Sequence, residues 1–87
     1  MSEEEKMIQR LLSCPADYTY DEAVSLAKRF GFVMHNKGNT SGSRVMLYRK
    51  QDGRKILLHK PHPARIMKQY AVRMFLEKLR ESGDINE

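Results

Sequence analysis

Cysteine and long apolar runs are scarce in this chain of 87 residues. The single cysteine, Cys14, excludes an internal disulfide, and no apolar run is long enough for a membrane span or for the core of a signal peptide. We therefore expect a soluble protein of the reducing cytoplasm, with no membrane partner. Cys14 has no helix N-terminus or basic neighbour to activate its thiol, so we expect it to be a small apolar packing residue.

Motifs for nucleotide, nucleophile and metal chemistry are also missing. Gly38 and Gly42 lack the strand and helix setting that a P-loop, a dinucleotide fingerprint or a nucleophile elbow requires. His59 and His62 have the spacing of half a metal site. A structural zinc site needs four ligands, and the one remaining histidine and the cysteine do not lie at the usual close spacing. We therefore expect no metal and no other cofactor.

Acidic residues are scarce in the middle of the chain. Several lie at its two ends, whereas between Lys37 and Arg73 ten lysines and arginines accompany a single acid, Asp52, for a local net charge of +9. One interpretation is a solvated face that only keeps the protein soluble. The concentration of positive charge in one segment favours the other interpretation, which is a surface that attracts a polyanion such as nucleic acid.

Three segments show apolar residues at helical spacing. Capping-box pairs, Ser2 with Glu5 and Thr19 with Glu22, mark the first two starts, and Gly31 is a typical C-terminal glycine for the second helix. The expected helices cover roughly residues 3–13, about 20–30, and a last segment that begins somewhere in 64–70 and ends at 81 or 82.

Between the second and last helices, the apolar pattern is that of β-strands. The expected strands are Phe32–His35, Arg44–Arg49 and Arg54–His59, and Asp52-Gly53 is a hairpin turn signal. This order predicts an α+β fold, a two-layer sandwich in which helices pack a three-stranded antiparallel sheet. We expect a single domain over residues 1–87, with residues 1–14 as an N-terminal helical extension and residues 15–83 as its core.

Polar and basic residues around the strands form a candidate RNA-binding surface. The loop of residues 36–43 has two glycines and no apolar side chain, so its backbone is free to approach a ligand. Contacts from this surface to phosphates would give an affinity that falls with salt. The candidate binding residues are Lys37, Ser41, Ser43, Arg44, Arg49, His59, Lys60, Arg65 and Lys68. Tyr48 and Tyr70 either stack on bases or pack half-buried, and we favour packing.

The stretch from the second helix onward resembles the HicA family of toxins, which have a fold like the double-stranded RNA-binding domain. Three motifs carry the resemblance: Thr19-Tyr20-Asp21-Glu22 before Phe30-Gly31-Phe32, a Gly-rich loop that ends in Ser41-Gly42-Ser43, and a third strand that runs into Pro61-His62. The resemblance implies a ribonuclease that acts on messenger RNA and is neutralised by a HicB-like antitoxin protein. The family places its catalytic histidine after a Gly-Ser pair, and this chain has Arg44 at that position.

Metal-independent RNA cleavage needs a base for the 2′-hydroxyl proton, cations on the phosphorane and an acid for the leaving oxygen. Arg44 stays protonated at neutral pH, so it suits the phosphate and not the base. His62, held between two prolines, is our candidate acid or base, with His59 and His35 as alternatives. The alternative interpretation is structural, in which Pro61-His62-Pro63 is a rigid corner whose imidazole bonds the backbone and takes no part in catalysis.

Three functions remain open at this point. The first is a HicA-like toxin, an endoribonuclease that uses His62 and Arg44. The second is a non-catalytic RNA-binding module on the same fold, which the arginine at position 44 favours. The third is a protein-interaction domain whose basic face meets only an acidic partner.

Overall fold

The structure is a computed structural model that describes residues 2–35, 44–61 and 65–86, with the backbone alone at Arg44. It has six elements in the expected order. They are α1 (Glu3–Leu12), α2 (Tyr20–Arg29), β1 (Val33–Met34), β2 (Arg44–Arg49), β3 (Arg54–His59) and α3 (Gln69–Glu81). The three predicted helices and three predicted strands are therefore confirmed, and the bounds of β2 and β3 agree with the prediction.

Side-chain caps set the beginnings of the first two helices. The backbone N–H of Glu5 donates to the Ser2 hydroxyl at 3.2 Å, and Thr19 and Glu22 form both hydrogen bonds of a capping box. At the other end of α2, Gly31 has a φ of +94°, and the N–H of Phe32 donates to the Ala27 carbonyl. The glycine reverses the chain there because L side chains seldom adopt this backbone conformation.

The sheet is antiparallel with the strand order β1-β2-β3. In β2 and β3, Val45 pairs with Leu58 and Leu47 with Ile56, and all four side chains are buried. The alternate residues point to the opposite face, where the side chain of Leu57 is 51% exposed. One face of the sheet therefore carries the core and the other meets solvent, as a two-layer sandwich requires.

The helices cover the buried face. The core includes Leu26 of α2, Phe75 and Leu79 of α3, and Leu11 of α1, whose side chains are almost fully buried. The predicted packing role of Cys14 is confirmed, since it is partly buried against this cluster. No helix in the described part of the chain is both long and apolar enough to cross a membrane.

A short bridge holds the segment before α3 against the segment before α2. The N–H of Tyr20 donates to the Arg65 carbonyl and the N–H of Met67 donates to the Tyr18 carbonyl, each at 2.8 Å. Thr19 and Ile66 form the isolated β-bridge between these bonds. The bridge fixes the position from which α3 begins, next to the end of β3.

Candidate functional site

A shallow cavity of about 280 Å³ lies where β3 ends and α3 begins. We call it the basic cleft, and it is lined by His59, Lys60, Pro61, Met67, Lys68, Tyr70 and Ala71. Met67 is 2% exposed and belongs to the core, so the interior of the cleft is anchored in the fold. The side chains of His59, Lys60, Lys68 and Tyr70 are exposed. The cleft thus combines a fixed apolar base with a rim of two lysines, a histidine and an aromatic ring.

Two elements place the lysines of this rim. Lys60 directly follows the last residue of β3, and Lys68 is the N-cap residue of α3. No acidic side chain lies in the first turn of α3, and the Lys68 side chain makes no capping hydrogen bond. The positive end of the helix dipole therefore adds to the lysine charges, and both favour an anion at this end of the sheet.

Arg44 reaches the same end of the sheet through strand register. Its backbone pairs with that of His59, so the residue that follows the Gly-rich loop lies beside the strand end that leads into the cleft. Its side chain is outside the described part of the structure. Lys37, Ser41, Ser43 and His62 also lie outside the described residues.

Arg65 and His35 lie outside the lining of the basic cleft. Arg65 is exposed and forms an ion pair with Asp21 in the first turn of α2. His35 is exposed at the end of β1, where its N–H donates to the Met46 carbonyl at 2.7 Å. Its imidazole lies 5.9 Å from the ring of Tyr48, measured between ring centroids.

The two tyrosines differ in exposure. Tyr48 is half-buried, as we expected. Tyr70 was also expected to pack half-buried, but its side chain is 59% exposed and lines the basic cleft. The reason is its place on α3, where the core-facing positions belong to Val72, Phe75 and Leu79. An exposed phenol beside two lysines is suited to stacking on a base.

Arg49 is placed inside the protein and not on the candidate surface. It is 7% exposed, and its guanidinium donates to Asp52, to Asp84 and to the Phe30 carbonyl at 2.7 to 3.1 Å. It also lies 4.5 Å from the ring centroid of Phe32. Its donors are thus directed to partners within the chain, and we leave it out of the RNA surface proposed below.

The rim of the cleft offers cationic donors. No group of three or more His, Cys, Asp or Glu side chains able to hold a metal ion occurs among the described residues. The ammonium groups of Lys60 and Lys68 are suited to phosphate oxygens as point charges. The described residues around the cleft therefore present two lysine ammonium groups, a histidine and one aromatic ring.

A comparison with protein families gives a match. The family model described as the HicA toxin of bacterial toxin–antitoxin matches residues 20–81, which run from the start of α2 to the end of α3. No match was found among curated proteins or among solved structures.

Proposed function

This chain belongs to the HicA toxin family of bacterial toxin–antitoxin systems, and from this premise we propose that it binds messenger RNA and cleaves it in the bacterial cytoplasm. The observation that carries the proposal is the basic cleft at the end of β3, where the side chains of Lys60, Lys68 and Tyr70 are exposed around an apolar floor. A double-stranded RNA-binding fold reads shape and backbone through contacts of this kind.

The cleavage that fits these residues needs no metal ion. A base takes the proton of a 2′-hydroxyl, the oxygen attacks the adjacent phosphorus, and an acid returns a proton to the departing 5′-oxygen, which leaves a 2′,3′-cyclic phosphate. We assign the acid or base role to His62, two residues after Lys60, and the phosphorane charge to Arg44. His59, exposed on the rim, is the alternative histidine.

The bound RNA would use the surface on both sides of the cleft. We propose Lys37, Ser41 and Ser43, from the sequence segment before β2, and Arg65, which is paired with Asp21 of α2, as further RNA contacts. Membership in a toxin–antitoxin family implies a neutralising partner, and we propose a HicB-like antitoxin that covers the cleft. Covering these cations would exclude the RNA phosphates from them.

Incubation of the purified protein with a labelled RNA in EDTA tests this function. We expect cleavage to persist in the chelator and to disappear in His62→Ala, while RNA binding is retained because the lysines remain. The matched control is Lys28→Ala, which removes an exposed basic side chain of α2 outside the cleft lining and should leave cleavage unchanged. Cleavage that survives His62→Ala unchanged would contradict the assigned role.

One observation favours a second function. Arg44 stands where the family pattern has a histidine, and an arginine binds phosphate but does not accept a proton at neutral pH. The alternative is therefore a non-catalytic RNA-binding module. It predicts that the same incubation leaves the RNA intact while the protein still binds it in a salt-sensitive way.

A further inference from the structure

Strand β3 forms one edge of the sheet, and its outer side carries backbone groups free to pair. The N–H of His35 donates to the Met46 carbonyl, so the backbone N–H and C=O groups of Met46 point to β1. In β2, the backbone groups of Val45 and Leu47, on either side of Met46, therefore point to β3. By the same alternation, Ile56 and Leu58 point back to β2, and Leu57 points its N–H and C=O away from the sheet. No strand of the described chain lies there, since the order ends at β3.

An apolar groove of about 150 Å³ runs beside this edge. Tyr70, Met74 and Lys78 recur at four-residue spacing on α3, so they share one face of the helix, and all three line the groove together with Leu57. Leu57 is 51% exposed, and Tyr70 and Met74 are 59% exposed. These three make up half of the large exposed apolar side chains in the described part of the chain. Apolar surface gathered beside an open strand edge is typical of a site for an added strand.

Edge strands in proteins are commonly short or covered, because an open edge invites pairing. β1, at the opposite edge, has two residues, whereas β3 has six. The length of β3 is enough for a segment of five or six residues to pair along it.

The charges around the edge select the occupant. The outward-facing positions of β3 carry Lys55 and His59, Lys60 follows, and Lys78 lies at the helix side of the groove, where its ammonium is 3.8 Å from Glu81. In an antiparallel pairing of two copies centred on Leu57, Lys55 of one copy would lie opposite His59 of the other, next to Lys60. This excess of positive charge disfavours a second copy and favours a segment with carboxylates.

We propose that the β3 edge and its groove bind an extended acidic segment of a partner protein, which pairs with β3 as a fourth strand. Alternate side chains of this segment are apolar and contact Tyr70 and Met74, and the others are acidic and lie beside Lys55 and His59. His59 and Tyr70 also line the basic cleft, so the bound segment would compete with RNA there. That last consequence rests on the proposed RNA binding, whereas the docking itself does not.

The test uses the full chain and a synthetic seven-residue peptide of alternating glutamate and valine, capped at both ends. Its affinity is followed by NMR, and amide hydrogen exchange is measured at Leu57. We expect saturating peptide to slow exchange at Leu57 by about tenfold or more, because its N–H becomes hydrogen-bonded. The same peptide N-methylated at alternate residues, which removes its backbone donors, should lose binding.

Two variants separate the groove from general charge. Met74→Glu places a charge in the groove and should weaken peptide binding by about tenfold or more, equivalent to about 1.4 kcal/mol. Val33→Glu is the matched control, because Val33 is similarly exposed, at 57%, on the opposite edge strand. It should change the affinity by less than about twofold, since a single exposed charge far from the site is screened by salt.

Three outcomes would overturn the proposal. The first is equal binding of the N-methylated peptide, which would indicate attraction by charge alone. The second is protection of Leu57 that grows with protein concentration in the absence of peptide, which would assign the edge to a second copy. The third is protection of Leu57 by an RNA oligonucleotide and not by the peptide. RNA cleavage in EDTA is measured separately on Met74→Glu, so failure of the docking site leaves the test of the ribonuclease intact.

Discussion

Arg49 shows that a basic residue in a basic segment can serve the fold. Its guanidinium joins the turn after β2, through Asp52, to the segment after α3, through Asp84. It also caps the carbonyl of Phe30 at the end of α2. The hydrogen bonds that Arg49 donates to the Asp52 and Asp84 carboxylates hold the pKa of Arg49 above its ordinary value, and the bond from Arg49 in turn lowers the pKa of Asp52. One side chain thus connects three parts of the chain at the end of the sheet.

Replacement of Arg49 should cost stability and not only charge. We expect Arg49→Ala to lower the free energy of unfolding by about 3 kcal/mol, because it takes the guanidinium donor from the Phe30 carbonyl and the cation from the Asp84 carboxylate, which keeps the Ser82 hydroxyl as a donor. Arg49→Lys should lie between this variant and the wild type, since an ammonium keeps the charge but not the planar fork. Urea unfolding measures both.

Arg54→Ala is the control for this prediction. Arg54 is the register partner of Arg49 and is 45% exposed, and its Nε lies 3.8 Å from Asp52. Its loss should cost less than about 1 kcal/mol, because exposed ion pairs contribute little. An Arg49→Ala protein as stable as Arg54→Ala would show that the three-way junction does not stabilise the fold.

The ion-pair partners of Arg49 were not predictable from the sequence, because Asp84 lies 35 residues away and only the folded chain brings the two together. The burial of Arg49, in contrast, was predictable from its position in β2. It alternates with Val45 and Leu47, so it had to share their buried face. Counting charges along the segment concealed that alternation.

Among the secondary-structure elements, the start of α2 is marked by a capping box, and a residue of this box also joins α2 to α1. The Glu22 carboxylate accepts from the backbone N–H of Thr19 at 3.0 Å as part of the capping box, and it also accepts from the guanidinium of Arg10 in α1. The Arg10 bond is the main cause that lowers the pKa of Glu22, and the bonds from Thr19 act in the same direction. The cap of α2 is therefore also the contact that ties α1 to it.

Glu22 should make the stability of the protein depend on pH. Because its pKa is lowered in the folded state, its contribution is present above the ordinary carboxyl value of about 4.3 and is lost as the pH falls through the folded value. We expect Glu22→Gln to be less stable than the wild type by about 1 kcal/mol at pH 7, and the difference to shrink toward pH 3. Urea unfolding at several pH values checks this.

Glu77→Gln is the matched control, since Glu77 is an exposed carboxylate that forms an ion pair with Arg80, three residues away on α3. Its effect should stay below about 0.5 kcal/mol across the same range, as is usual for exposed helix pairs. A Glu22→Gln difference that stays constant with pH would contradict the coupling to Arg10.

Local patterns predicted the elements well where a turn or a cap marks them. β2 and β3 have the predicted bounds because Asp52-Gly53 fixes their hairpin, with Gly53 at a φ of +69°. β1 is shorter than the predicted Phe32–His35, since the N–H of Phe32 is used in the cap of α2. The sequence predicts the start of α3 only to within residues 64–70, because no side-chain cap marks it, and in the structure the helix begins at Gln69.

At the scale of the whole molecule, the family match and the core have different bounds. The matched residues begin at position 20, yet Leu11 of α1 is fully buried in the same core as the matched helices. Arg10, next to it, bonds Asp17 and Glu22. α1 thus packs as an integral part of the described fold.

The basic residues between Lys37 and Arg73 do not all contribute to the basic cleft. Arg49 is internal and Arg65 is paired with Asp21, whereas Lys60 and Lys68 line the basic cleft. The sequence indicated a polyanion partner from the net charge, but which cations are exposed together depends on the packing of β3 against α3. The end of β3 is therefore the place where we propose that the RNA backbone binds.

The salt dependence of RNA binding tests this assignment most directly. A labelled single-stranded RNA is titrated by fluorescence anisotropy at several KCl concentrations, with Lys60→Ala/Lys68→Ala and with the control Lys6→Ala/Lys28→Ala, which removes two exposed lysines from α1 and α2. We expect the slope of log affinity against log salt to fall by about 1 to 1.5 in the first double variant and to stay at the wild-type value in the control. Equal slopes for the two double variants would contradict it.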